Sequence, residues 1–333
     1  MRQNDRFFKL NYVLHHLLVP YLERVPSAKQ VMAHLAARGE TVLNDHIAFR
    51  SLLGIKAFEK IFLSLGYERM GPKMIFQAKH LNAFWYKPPT PRHPRIFISE
   101  LCYEHLSERA QSIIFNSLSP IIDQLELDSV TYVKSESLYD AFGDYFFSST
   151  GDGRDLDNLS SHAIARFLNS SLWTKPTFTD FQALQAESEW ASWAIFNEYY
   201  LNHFTVAVHR LRTFNHLSDF NDWLETELQL TLNTAGGKIK RSADGRLLQS
   251  ATVANMIDGQ FANGEIHQIS GSYAEYAYRD LLPEYDRLFK SFAPGNRPHP
   301  FQIPDLFRRD GFETSNADKI FESTYSDQVK PKT

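Results

Sequence analysis

The order of secondary structure is decided by the segment NDHIAFR, residues 44–50, and by the elements that follow it. Polar and apolar residues alternate along this segment, which is typical of a β-strand whose two faces have different surroundings. An apolar stripe over 55–65 then predicts a helix, and further strands are predicted near 70–78, 81–86 and 95–102. The pattern therefore predicts a strand-helix-strand-strand-strand unit.

The same order of elements is predicted again further along the chain. Residues 202–211 alternate like a strand, and an apolar stripe over 220–228 predicts the helix that follows it. Further strands are predicted at 230–234, 238–242, 246–255 and 265–278. No sequence identity relates the two units, so the repeat is predicted from the order of elements alone.

These units divide the chain into five segments that we expect to form one compact α+β domain. The two units are predicted to build a curved mixed sheet, with a helical insertion between them. Helix patterns in the insertion run over 108–125, 161–172 and 178–200. The segments are N-terminal helices at 1–41, the first unit at 42–105, the insertion at 106–200, the second unit at 201–293 and a C-terminal covering segment at 294–333. A short helix is predicted near 317–323 within the last segment.

Composition limits the kinds of chemistry that the chain can perform. Lys and Arg total 35 against 39 Asp and Glu, and this balance argues against a nucleic-acid partner bound by bulk charge. The single cysteine, Cys102, excludes an intrachain disulfide and a cysteine-cluster metal site, which leaves 13 histidines and the carboxylates as ligands. No secretory signal or long apolar run was found, so we expect a cytoplasmic protein without a membrane span.

Three predicted strands each place a metal-binding residue beside small residues on one face. The sets are His46 with Ala48, His203 with Thr205 and Ala207, and Glu275 with Ala277. The alanines indicate a confined interior rather than a solvent face. A buried Glu275 would need a partner, because desolvation of a lone carboxylate is costly. Two imidazoles and one carboxylate are the ligand set of non-haem Fe(II), although Zn, Mn or Ni could bind the same ligands.

Two arginines lie on the same strand faces as these candidate ligands. Arg50 follows His46 by four residues, and Arg279 follows Glu275 by four. Each guanidinium would therefore point into the same space about 13 Å further along its strand. This arrangement suits the bidentate capture of a substrate carboxylate.

The residue pattern alone leaves other interpretations open. Each polar face could be solvated, and each histidine could be a hydrogen-bonded core residue. Glu100, His209 and His267 are rival ligands, of which we expect the two histidines to support the site or the fold. The same scaffold could be a Zn or Ni lyase, isomerase or hydrolase with His209 as general base, or a metal-free module that binds a small acid.

Three motifs resemble the signatures of the 2-oxoadipate dioxygenase/decarboxylase family. They are DHIAFR at 45–50, NHFT at 202–205 and YAEYAYR at 273–279. The resemblance covers roughly 42–323, and the order of the motifs makes it more specific than any one of them. This family is similar to the vicinal oxygen chelate superfamily, in which paired strand-helix-strand-strand-strand units surround a metal.

The resemblance implies a function and a set of site residues. It implies Fe(II) bound by His46, His203 and Glu275. It also implies that Arg50 holds a substrate carboxylate, with Arg279 as a second candidate. A C-terminal segment near Thr314 and Ser315 would cover the site, although the local spacing there departs from the family pattern. The implied reaction converts 2-oxoadipate and O₂ to 2-hydroxyglutarate and CO₂, with a role in lysine catabolism. The implied partners are a small 2-oxo diacid and O₂, with no nucleic acid or membrane, and the oligomeric state is not predicted.

Overall fold

The strands of both predicted units lie in one curved mixed sheet, and helices pack against one face of this sheet. The structure is a computed structural model that describes residues 3–124, 142 and 160–314. Ser315 and the short helix expected near 317–323 lie outside the described residues. The chain begins with two helices, α1 (Gln3–Arg24) and α2 (Pro26–Ala37).

The first unit has the predicted order of elements. Its members are β1 (Asn44–Ser51), α3 (Lys56–Ser64), β2 (Glu68–Phe76), β3 (Leu81–Lys87) and β4 (Arg95–Leu101). β4 runs parallel to β1, and β3 pairs with β2 and β4 in antiparallel fashion. α3 therefore follows β1 and leads to β2, and β4 returns to lie beside β1.

The insertion between the units is helical where it is described. Its helices are α4 (Glu108–Gln124), α5 (Ser161–Leu168), α6 (Phe178–Glu187) and α7 (Glu189–Asn197). A continuous helix over 178–200 was expected, and this expectation is wrong. The hydroxyl of Ser188 accepts the N–H of Ala191, which begins a new helix at that point because an N-cap serine satisfies a free backbone donor.

The second unit repeats the order of the first, with an added hairpin. Its members are β5 (His203–Ala207), α8 (Leu217–Thr226), β6 (Lys240–Arg241), β7 (Leu247–Ala251), β8 (Met256–Gln260), β9 (Ile266–Ser270) and β10 (Tyr273–Arg279), after which α9 (Pro283–Lys290) follows. β8 and β9 pair with each other outside the main sheet. The single strand expected over 265–278 is therefore wrong, and β8 was missed. The strand expected over 230–234 is reduced to one bridge between Leu232 and Thr252.

The two units are joined side by side in one sheet. Among the described residues this sheet has eight strands in the order β2-β3-β4-β1-β5-β10-β7-β6. β1 and β5 meet in antiparallel fashion at its centre, and β10 runs parallel to β5 just as β4 runs parallel to β1. This topology confirms the predicted α+β class with two repeated units.

Apolar residues of the central strands pack against helices on one face of the sheet. The ring of Phe49 on β1 lies 5.0 Å from that of Phe58 on α3, and Tyr276 on β10 lies 5.0 Å from Phe220 on α8. The hydroxyl of Tyr21 on α1 donates to the backbone carbonyl of Tyr273 at 2.6 Å. Because side chains alternate along a strand, His46, His203 and Glu275 project from the opposite face.

Candidate metal centre

The ligand atoms of His46, His203 and Glu275 lie together on that face. Nε2 of His46 is 3.2 Å from Oε1 of Glu275, and Nε2 of His203 is 3.3 Å from Oε2. The two Nε2 atoms are 3.2 Å apart. Strand register explains the convergence, because Thr205 of β5 lies opposite His46 on β1 and opposite Glu275 on β10. The three residues are at most 5% exposed.

This donor set fits a bound metal ion. The three ligand atoms all lie within 4.8 Å of one another. Oε2 of Glu275 is buried and accepts no hydrogen bond from the described residues. A cation between the three groups would balance the negative charge of the carboxylate and accept the lone pairs of both imidazoles.

A further polar group orients each ligand. Nδ1 of His46 contacts Oδ2 of Asp45 at 3.0 Å, and Nδ1 of His203 contacts Oδ1 of Asn202 at 3.0 Å. These acceptors favour the tautomer that leaves each Nε2 lone pair directed into the site. Oε1 of Glu275 receives an N–H from the side chain of Gln249 at 2.7 Å.

The contact between Asp45 and His46 coincides with a local irregularity of β1. Consecutive side chains of a regular strand point to opposite faces. The pairing of β1 with β5 shifts its register between Asn44 and His46, and an extra residue of this kind redirects nearby side chains. No residue pattern in the sequence indicated this shift, so the role of Asp45 was missed.

Burial and neighbouring charges shift the pKa of each ligand, and the two imidazoles shift in opposite directions. Burial opposes protonation of His46, but Glu275 and Asp45 outweigh it and raise its pKa, whereas a bound cation would favour the neutral imidazole. Burial, opposed by Glu275 and reinforced by the charges of His46 and Arg50, lowers the pKa of His203 to about 3, so its imidazole is neutral at neutral pH. Burial favours protonated Glu275, but the nearby imidazoles and the Gln249 hydrogen bond outweigh it and lower the pKa of Glu275.

Arg50 lies on the same face of β1 as His46. Its side chain is buried, with Cζ 4.8 Å from the ring centroid of Trp193 and 5.7 Å from that of Trp190. Both indoles belong to α7, so the helical insertion forms one wall of the space beside the metal ligands. Cation–π contacts of this kind hold a guanidinium in a fixed orientation.

Arg279 has partners different from those expected. Its Nε and Nη2 donate to the two carboxylate oxygens of Asp45 at 2.7 and 2.8 Å, and its Nη1 donates to the backbone carbonyls of Gly311 and Arg309 at 2.9 and 3.3 Å. These contacts do not test the expectation that Arg279 binds the substrate, which stays a prediction. They favour a structural role, in which Arg279 links Asp45 to the backbone of Arg309 and Gly311.

The C-terminal segment, which we define as residues 305–314, contacts the site through Phe312. The ring of Phe312 lies 4.8 Å from the His46 ring and 5.5 Å from that of Phe97. Thr314, expected near the substrate, is half-buried in this segment, and Ser315 lies outside the described residues. Phe312 was missed because one aromatic among many in the chain carries no signal of its own.

The rival ligands lie in other surroundings. A carboxylate oxygen of Glu100 accepts the N–H of Ile55 at 2.9 Å. Nε2 of His209 contacts Asp305 at 3.2 Å, and its Nδ1 accepts the backbone N–H of Arg279 at 3.3 Å. His267 stacks on Phe178 with ring centroids 3.5 Å apart. None of these residues joins the described group of three ligands.

Fold and site together define an enzyme of the type built from paired strand-helix-strand-strand-strand units, with a buried group of residues that could bind a metal. The model of one family, described as 2-oxoadipate dioxygenase/decarboxylase, matches residues 13–297. The chain belongs to this family, which confirms the resemblance expected from the three motifs.

Relatives match nearly the whole chain. A protein of Arabidopsis thaliana named "2-oxoadipate dioxygenase/decarboxylase, chloroplastic" is 34% identical, over 99% of this chain and 80% of its own length. The crystal structure of a hydroxyglutarate synthase in complex with 2-oxoadipate, from Oryza sativa, is also 34% identical. It has a TM-score of 0.76 and covers 98% of this chain and 94% of that one.

A more distant structure shares the fold. A protein from Ralstonia eutropha JMP134, assigned to the glyoxalase superfamily, is 20% identical with a TM-score of 0.58, over 80% of this chain and 82% of that one. At this identity the likeness supports the architecture alone. Within the described residues, no helix combines the length and the apolar character needed to cross a membrane.

Proposed function

We propose that the protein is an Fe(II)-dependent enzyme that converts 2-oxoadipate and O₂ to 2-hydroxyglutarate and CO₂. The observation that carries this proposal is the buried group of His46, His203 and Glu275, whose ligand atoms lie within 4.8 Å of one another. Membership of the family supports the reaction, and the 2-oxoadipate complex of the rice relative supports the substrate.

Fe(II) is the metal best suited to this reaction. A two-histidine, one-carboxylate ligand set leaves coordination positions for a chelating 2-oxo acid and for O₂, and iron supplies the redox chemistry that O₂ requires. The imidazoles of His46 and His203 and the ionised carboxylate of Glu275 would hold it. Asp45, Asn202 and Gln249 would keep the three ligands in their orientations.

The remaining residues would bind the substrate and exclude water. We assign the distal carboxylate of 2-oxoadipate to Arg50, because a guanidinium held over an indole presents a fixed pair of donors. This contact would favour substrates whose second carboxylate lies at the matching distance from the 2-oxo group. Phe97, Phe312 and the indoles of α7 would keep water from the reacting groups.

Oxygen uptake by anaerobically reconstituted protein tests the proposal. Iron-loaded protein should consume one O₂ and release one CO₂ per 2-oxoadipate, without an added cosubstrate. We expect 2-oxohexanoate, which lacks the distal carboxylate, to react poorly, and His46→Ala to lose both metal and turnover. If iron-loaded wild-type protein consumes no O₂ with any 2-oxo diacid, the proposal is wrong.

The alternatives left open by the sequence have less support. A Zn or Ni lyase or hydrolase was expected to use His209 as its base, but both ring nitrogens of His209 are hydrogen-bonded to Asp305 and Arg279. A metal-free binding module would leave Oε2 of Glu275 buried without a hydrogen bond from the described residues. A cytoplasmic location and a role in lysine catabolism remain predictions.

A further inference from the structure

Asp45 lies between a metal ligand and a buried arginine. Its Oδ2 contacts Nδ1 of His46 at 3.0 Å and also accepts Nη2 of Arg279 at 2.8 Å, while Oδ1 accepts Nε at 2.7 Å. Asp45 is 3% exposed and Arg279 is 0% exposed. A bidentate pair in such surroundings fixes both groups, because neither can exchange its partner for water.

The same arginine is bonded to the C-terminal segment 305–314. Nη1 of Arg279 donates to the carbonyls of Gly311 and Arg309, and its own carbonyl accepts Nη1 of Arg308 at 2.6 Å. The segment in turn contacts the metal ligand directly, because the Phe312 ring lies 4.8 Å from that of His46.

A second arginine holds the segment from the first unit. Nε of Arg95, at the start of β4, donates to Asp310 at 2.6 Å, and its Nη1 approaches Oδ1 of Asp45 at 3.4 Å. Asp45 is therefore the point where both arginines and His46 meet. If the C-terminal segment moved away, Nη1 of Arg279 would lose both carbonyl acceptors, and the buried pair would be opened to water.

We propose that Arg279 and Asp45 are positioning residues through which the C-terminal segment 305–314 sets the orientation of His46. The inference rests on the proposed metal site and needs no assumption about the substrate. It gives the C-terminal segment 305–314 a role in forming the metal site in addition to covering it.

Titration with Co(II), a spectroscopic substitute for Fe(II), tests the link between Asp45 and Arg279. Asp45→Asn and Arg279→Gln should each weaken Co(II) binding by about 10–100-fold and change the visible absorption bands, because oriented imidazoles bind metals more tightly. The double variant should bind Co(II) about as weakly as the single variant with the lower affinity, since the effects of two residues that act through one contact do not add. Ser250→Ala removes a buried hydrogen bond to Asn221 and should leave the Co(II) spectrum unchanged.

The role of the C-terminal segment is tested by a pair of glycine variants. Gly311 has φ +80, and a Cβ there would lie 3.0 Å from Cζ2 of Trp85, so Gly311→Ala should displace the segment without changing any residue of the Asp45–Arg279–His46 chain. Gly264 in the β8–β9 turn has φ +84 with nothing within 4 Å of its Cβ, so Gly264→Ala carries a similar backbone cost at a distant place. Gly311→Ala should weaken Co(II) binding about tenfold or more, and Gly264→Ala should not.

Two results would overturn the inference. One is wild-type Co(II) affinity in Asp45→Asn and Arg279→Gln. The other is equal Co(II) affinity in Gly311→Ala and Gly264→Ala when hydrogen exchange shows that the segment 305–314 has opened in Gly311→Ala. Failure of the wild-type protein to bind Co(II) would instead contradict the metal site itself, so the two failures can be distinguished.

Discussion

At the scale of single residues, the site consists of charged and polar groups placed inside the protein. His46, His203, Glu275 and Arg50 are each 5% exposed or less. Groups of this kind are costly to bury unless each is oriented toward a partner of opposite charge or toward a ligand. Their joint burial on one face therefore indicates that binding, rather than folding alone, accounts for them.

We predict that Arg50→Lys raises KM for 2-oxoadipate by about tenfold or more, because lysine keeps the charge but loses the two-pronged donor geometry. Metal content should stay at the wild-type value, since Arg50 is not a ligand. Steady-state oxygen uptake and metal analysis would measure both quantities. Arg69→Lys is a matched control, because Arg69 also lies over an aromatic ring, that of Phe84, but is exposed. Loss of metal from Arg50→Lys, or an unchanged KM, would contradict the assignment.

At the scale of elements, the turn between α7 and β5 sets the distance between two parts of the site. α7 carries Trp193 and β5 begins with His203. Glu198, in the turn, has φ 59 and ψ -133, a conformation that residues other than glycine adopt at a cost. Its buried carboxylate accepts bonds from Ser171, the backbone of Leu172 and Lys175, which hold the turn in this shape.

We predict that Glu198→Gly has a higher free energy of unfolding than Glu198→Ala by about 1 kcal/mol, although both are less stable than the wild type. Both variants lose the carboxylate, so the difference between them reports the backbone conformation. Glu187, at the end of α6, also has a bonded carboxylate but lies in a helix, where glycine should be the less stable of the two. Urea denaturation of the four proteins would decide, and the same order at both positions would contradict the prediction.

The sequence predicted which face of a strand each residue occupies better than it predicted which residues that side chain contacts. Alternation along β1, β5 and β10 identified the inward residues, because a strand has a fixed period of two. It could not show that the apolar pattern over 265–278 divides at Gly271, where a Cβ would lie 2.9 Å from the carbonyl of Asn255. It also placed Arg279 on the correct face without revealing Asp45 as its partner, since a register shift between strands is a tertiary feature.

At the scale of the whole molecule, the site joins the two units. His46 belongs to the first unit, and His203 and Glu275 belong to the second. β1 and β5 are the strands along which the units meet. A bound ion would therefore connect distant parts of the chain and should stabilise the native arrangement of the whole sheet.

We predict that metal ions raise the melting temperature of chelator-treated protein. A ligand at 100 times its Kd adds about 2.7 kcal/mol to the free energy of unfolding when it binds the folded state alone. His46→Ala should show little of this increase, and His267→Ala, at a half-buried histidine that contacts Glu265 and lies outside the ligand group, should show all of it. Thermal unfolding with and without Fe(II) under anaerobic conditions measures the difference. An equal increase in the wild type and in His46→Ala would place the metal elsewhere.

The register of the paired strands relates the two units by an internal symmetry. His203 lies opposite Tyr273, which is two positions before Glu275. In the same way, His46 lies opposite Arg95, which is two positions before Phe97. Phe97 is thus the counterpart of the metal-binding carboxylate. Two units with a carboxylate at this position would offer a bound ion four side chains, whereas the Phe97 ring leaves that coordination position to molecules from outside. This difference between the two units, at one position, would give a bound ion one more coordination position for a substrate.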